Sequence, residues 1–181
     1  MTAREVSIES IIEEKIAWAK NCYQKYGADL LRDEEIDHLL KKLKEAIHAS
    51  RSEMAKLDII EYCSLCDRAD GGSCCGAGLE NRYTGILILI NLLLGQSIPD
   101  RRQDPSACFF LTKEGCGLLS RQVICINYLC KKITDQIDPQ GIAPLREQEG
   151  VEVELLFHLN ERIKKVLVSP RKQGNGIPEK A

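Results

Sequence analysis

Eight of the chain's nine cysteines fall between Cys63 and Cys130, and the stretches on either side carry helical periodicity. Such a chain has to frame a thiol-rich middle with helices. The first block holds Cys63, Cys66, Cys74 and Cys75, followed by Gly76; the second holds Cys108, Cys116, Cys125 and Cys130. Thiols at this density serve three ends: crosslinking, redox exchange or metal binding.

Three long segments set the frame. Ile8, Ile12, Ile16, Ala19, Tyr23 and Tyr26 recur every three or four residues, which predicts one buried helical face that Gly27 ends. A second helix is predicted from near Asp33, with Glu34 and Glu35 suited to the positive end of its dipole. Its stripe is Ile36, Leu39, Leu40, Leu43, Ala46, Ile47, Met54 and Leu57. The two segments read as an antiparallel hairpin. A last helix is expected after Pro144, burying Val151, Leu155, Leu159, Ile163, Val166 and Leu167. Between them, Asn81 to Leu94 reads as a central core helix, and Arg121 to Ile137 as a further helix ended by Asp138-Pro139. The expected fold is an all-α single domain over residues 1–168, a small helical bundle with irregular cysteine-rich loops. Residues 169–181 read as a disordered tail.

At 181 residues the chain has the length for a core that needs no disulfides. No signal peptide is visible, and the apolar run from Ile86 to Leu94 falls short of the roughly 20 residues of a membrane span. A cytoplasmic setting is therefore expected, where clustered cysteines read first as metal-binding or catalytic. A net charge of −2 and 5% aromatics speak against nucleic acid as a partner. No nucleophile elbow, H-E-x-x-H motif or P-loop is present.

The C-x-x-C spacing of Cys63 and Cys66 lets two sulfurs reach one metal, and thioredoxin-like redox motifs share it. Vicinal Cys74 and Cys75 are harder to place on one tetrahedral ion, because neighbouring side chains usually diverge; a multi-iron cluster or two metals would use both more easily, and the alternative is one ligand beside one packed thiol, while their glycine-rich setting could aim N–H groups at thiolate or sulfide. Cys108 and Cys116 flank a short loop through Glu114 and Gly115, and Cys125 follows on the next helix. Arg121, four residues before Cys125, is expected on the same helix face, where its guanidinium either offsets thiolate charge or forms a surface salt bridge. Cys130 lies about 140° around a continuous helix from Cys125 and reads as a packed thiol. Cys22 reads as core packing, and His38, His48 and His158 as helix residues without a metal role.

The set C63-x2-C66-x7-C74-C75-G76, then Cys108 with Leu111, Gly115 and Cys116, then R121-x3-C125, resembles the YkgJ-like cysteine-cluster family, whose members are described as zinc or iron chelators. The resemblance covers about residues 63–130. The gap from Cys66 to Cys74 is longer than the family's, Gln122 stands at its proline, and Ile126 stands where a basic residue often follows. What the resemblance implies is metal chelation, with no particular reaction.

The leading expectation is thus a metal-binding protein. Its ligands would be Cys63, Cys66, Cys74, Cys75, Cys108, Cys116 and Cys125, with Arg121 beside an iron–sulfur cluster of the 4Fe-4S type, or zinc. A second is thiol–disulfide exchange at Cys63 and Cys66. A third is an interaction protein in which a stapling zinc holds the loops and the Ile8–Leu57 hairpin docks a protein partner.

Overall fold

The computed structural model describes residues 5–63, 74–113 and 115–168. It is mostly helical, as expected. Helix α1 spans Ile12–Arg32 and α2 spans Glu34–Lys56, with only Asp33 between them. Asp33 caps α2, its Oδ1 accepting from the Ile36 N–H at 3.0 Å. Gly27 does not end α1. It is buried beneath the Tyr23 ring, and Leu30 beyond it is a core residue, so continuing the helix buries more apolar surface than stopping. Ile8 and Tyr23, expected on the buried face, are 54% and 36% exposed.

A 3₁₀ turn, Leu79–Arg82, leads into α3, Gly85–Leu93. Thr84 caps α3 by accepting from the Leu87 N–H at 3.1 Å. α3 runs through the main core and is buried on nearly every face. Gly85 lets it approach α1: a Cβ there would stand 2.5 Å from Cε3 of Trp18. The main partner of α1 is α3, and that of α2 is the last helix, so the α1–α2 pair is linked more by sequence than by packing.

The stretch from Arg121 to Ile137 is not one helix. It breaks into α4, Val123–Asn127, and α5, Lys131–Thr134. Gln122 caps α4, and Cys130 stands at the N-cap of α5. The last helix, α6, spans Pro139–Val168. It starts earlier than expected because Asp138 accepts from the Gln140 N–H at 3.0 Å, so Asp138-Pro139 opens α6 and Pro144 lies inside it. The buried face of α6 is Leu145, Glu149, Glu152, Leu156, Leu159, Ile163 and Leu167; Val151, expected there, is 46% exposed.

Two short strands, β1 (Leu111–Thr112) and β2 (Gly115–Cys116), pair antiparallel within the second cysteine block. A small second apolar cluster, Ile59, Ile133 and Leu145, sits apart from the main core. The expected tail, 169–181, lies outside the described residues. Among the described residues no helix is long and apolar enough to cross a membrane.

Candidate metal centre

Backbone pairing joins the two cysteine blocks. Gly76 bridges Ala107, the Ala77 N–H donates to the Ser106 carbonyl at 2.9 Å, and the Cys108 N–H donates to the Cys75 carbonyl at 2.6 Å. Cys75 and Cys108 are thereby held side by side. The β1–β2 hairpin then turns back and sets Cys116 opposite Leu111. Its turn needs Gly115, whose φ of 103° disfavours any side chain. Buried Glu80 fixes the crossing by accepting from the Gly78 N–H at 3.0 Å and the Phe109 N–H at 3.4 Å, and it pairs with Arg102.

Cys125 comes from α4. Tyr83, 1% exposed, packs its ring 4.9 Å from that of Phe110 and donates its hydroxyl to Cys125 Sγ at 3.9 Å. The turn before α4 is clamped by Asn91, the one polar residue of α3. Its Nδ2 donates to the Leu87 and Ser120 carbonyls, both at 2.9 Å. Its Oδ1 accepts from the N–H groups of Leu119 at 3.0 Å and Ser120 at 2.9 Å. An asparagine inside an apolar run thus has a reason: it ties the core helix to the approach to Cys125.

The charges of Cys116 and Cys125 act on both Cys75 and Cys108, and Cys74 acts on Cys75 and Cys125. Cys75 is pushed far up by its hydrogen bond with Cys74, then by burial and by the charges of Cys74, Cys116 and Cys125. Cys108 is pushed up to about 11, mainly by burial, with Cys116 and Cys125 adding. Burial raises Cys125 too; the Tyr83 hydroxyl and Arg121 act against it, while Cys116 and Cys74 reinforce it. Burial, and the nearness of Cys116 and Cys125, likewise raise Tyr83. Thiols with pKa values raised like those of Cys75, Cys108 and Cys125 favour the neutral form until a cation draws off their protons. Among the described residues no three His, Cys, Asp or Glu side chains stand together as a ready-made group for one metal ion. A single zinc with Zn–S of about 2.3 Å would have to pull its sulfurs together.

Arg121 does not share a helix with Cys125. It precedes the α4 cap, is 9% exposed, and points its Nη2 at Met54 Sδ, 3.7 Å away. Its Nε has no partner among the described residues. Sequence reasoning missed the second guanidinium, Arg51 of α2. Its Nη2 donates to the carbonyls of Leu118 and Leu119 at 2.9 and 3.1 Å. Burial lowers its pKa, Arg121 lowers it further, and Cys116 and Glu152 act in the opposite direction. Helical spacing puts Arg51 in line with Leu43 and Ile47, but spacing alone does not tell a sealed guanidinium from an exposed one.

The remaining expected ligands lie elsewhere. Cys63 packs against the small cluster with Cys130, which is a packed thiol as read. Cys66 and Glu114 lie outside the described residues. Cys22 is core, and burial pushes it up to about 11. His38, His48 and His158 are exposed on α2 and α6. Compared with family models, curated proteins and solved structures, the chain finds no match.

Proposed function

We propose that this chain is a metal-binding protein in which Cys74, Cys75, Cys108, Cys116 and Cys125 supply thiolates to an iron–sulfur cluster, with zinc as the alternative occupant. The observation that supports this is the backbone pairing of Gly76 with Ala107, which sets Cys75 beside Cys108, with Cys116 on the adjoining β1–β2 hairpin and Cys125 at the Tyr83 hydroxyl. The donor set fits: soft thiolates suit both occupants, and the open Arg121 Nε offers a donor to thiolate or sulfide. Each thiolate of a cluster binds its own iron, so spread-out sulfurs suit a cluster better than a lone ion. The YkgJ-like resemblance points to the same chemistry, and the setting we propose is the cytoplasm. A bound cluster would supply one-electron chemistry, whereas zinc would staple the loops.

The test is oxygen-free purification followed by elemental analysis, sulfide assay and a visible spectrum. Iron with acid-labile sulfide is expected. Colourless protein with stoichiometric zinc would replace the cluster by zinc, and protein that holds neither after reconstitution would overturn both. Cys75→Ala and Cys116→Ala are expected to lose metal, and Cys22→Ala to keep it. Cys63→Ser separates the five-thiol set, which predicts retention, from the wider set read in the sequence.

A further inference from the structure

Of the buried aromatic side chains among the described residues, Tyr83, Phe109 and Phe110, only Tyr83 carries a hydroxyl. It is 1% exposed, and a phenylalanine would fill the same space without taking a hydroxyl out of water. A buried hydroxyl is destabilising unless it finds a hydrogen-bond partner. The acceptor that the Tyr83 hydroxyl meets is Cys125 Sγ, at 3.9 Å. A neutral thiol is a weak acceptor and serves a hydroxyl poorly. A metal-bound thiolate is negatively charged and accepts far more strongly. The hydroxyl is therefore better satisfied once Cys125 is a ligand than before.

The surrounding backbone holds donor and sulfur together from both sides. Tyr83 follows the 3₁₀ turn Leu79–Arg82; its own N–H donates to the Glu80 carbonyl at 3.0 Å, and the next residue, Thr84, caps α3. Its ring packs 4.9 Å from that of Phe110, inside the block that runs from Cys108 to Cys116. On the other side, Gln122 fixes Cys125. Its carbonyl accepts from the Cys125 N–H at 2.8 Å, and its side chain caps α4 by accepting from the Ile124 N–H at 2.6 Å. The Gln122 N–H is a donor to the Tyr83 oxygen, which leaves the phenolic hydrogen for Sγ. A proline at 122 would lack that N–H. The pair is thus set by groups outside the thiol cluster, as the partners that orient metal ligands commonly are.

Resting on the metal-binding function above, we propose that Tyr83 is a positioning residue of the centre, its hydroxyl donating a hydrogen bond to the Cys125 thiolate when that sulfur binds metal. Such a bond draws electron density from the sulfur. Hydrogen bonds to ligating sulfurs are among the factors that set the reduction potential of a cluster. The reduced centre carries one more negative charge, so the bond favours it and raises the potential.

Tyr83→Phe keeps the ring and removes the hydroxyl; Tyr128→Phe, at the exposed end of α4, is the control. Both are tested on the full chain. After oxygen-free reconstitution with iron and sulfide, redox titration is expected to give a lower potential in Tyr83→Phe. The expected change is a roughly threefold to tenfold shift in the oxidised-to-reduced ratio at fixed potential, about 30–60 mV for a one-electron couple. With cobalt(II) as the bound metal, the thiolate-to-cobalt absorption band is expected to move to longer wavelength in Tyr83→Phe, because its sulfur holds electrons less tightly. A hydroxyl that only fills space moves neither signal. Should Tyr83→Phe not load, 3-fluorotyrosine in place of the chain's tyrosines supplies a more acidic hydroxyl, and both signals are expected to move the opposite way. A shift in either signal supports the role of Tyr83. Equal metal content with both signals unchanged overturns it and leaves the metal-binding function standing. A chain that holds cobalt but no cluster refutes the cluster, and the band alone then decides the role of Tyr83. A chain that takes up neither iron, zinc nor cobalt overturns both.

Discussion

The α1–α3 and α2–α6 contacts are both helix on helix, yet they bury their polar groups in opposite ways. In the first, Gly85 lies against Trp18, and the one buried polar side chain of α3, Asn91, uses its whole amide in four hydrogen bonds. In the second, Glu149, Glu152 and nearby Arg121 each leave an atom without a hydrogen-bond partner among the described residues. A buried polar group that is fully satisfied rigidifies; one left partly open costs free energy in the folded state. The contrast lies in hydrogen bonding and not in exposure, since Asn91, Glu149 and Glu152 are each 1% exposed or less.

Asn91→Leu is expected to be the most damaging change. It leaves Leu119 N–H, Ser120 N–H and the Ser120 carbonyl unpaired, at about 1–3 kcal/mol each, so the loss should be about 3 kcal/mol or more. Denaturant titration would show it; a loss under 1 kcal/mol, judged against that scale of about 1–3 per atom, would remove the distinction drawn here. Gly85→Ala comes next, at about 1–3 kcal/mol, because the new methyl group meets Trp18 in a packed interface. An unchanged melting temperature would mean that this contact is looser than the geometry implies.

Asp33→Ala should cost about 1 kcal/mol by removing the α2 cap. It also breaks the 2.7 Å ion pair with Arg162 of α6. The Arg162 hydrogen bond holds Asp33 below its ordinary value of 3.8, against a smaller effect of burial. The stabilisation is therefore present above that pH and lost as pH falls through the folded value, so the variant and the parent chain should converge in acid. Glu149 has the opposite sign. Its folded pKa lies above the ordinary 4.5, mainly through burial, so stability declines as pH rises from that value through the folded one, then levels. The smallest effect expected is the absence of this decline in Glu149→Gln, seen as a flatter stability–pH curve. Parallel curves would place Glu149 with the satisfied groups.

Much of the frame was legible in the chain. Ile36, Leu40, Leu43 and Ile47 recur at helical spacing and are buried, and Asp33 begins α2 as its side chain predicts. The errors fall where a local rule competed with tertiary gain. Gly27 is a weak helix former, but stopping there would have left Leu30 outside the core. Pro144 fits a helix start, yet Asp138 supplies a better one a turn and a half earlier. The break at Tyr128 had no clear punctuation: the α4 turn ends there so that Cys125 meets Tyr83 while Cys130 joins a different cluster.

Composition and spacing by themselves determined that helices would enclose a thiol-rich middle, because periodicity and cysteine density are local properties of the chain. Only the tertiary structure decided which thiols keep company. The pairing of Gly76 with Ala107 unites Cys75 with Cys108, while Cys63, the near neighbour of Cys66, is drawn to Ile59 and Ile133 instead. Arg51, Glu149 and Glu152 gained their significance in the same way. Nothing in a linear pattern says which charged residues of a helix will be sealed inside, since that depends on what the opposing helix presents and on how much water the contact excludes.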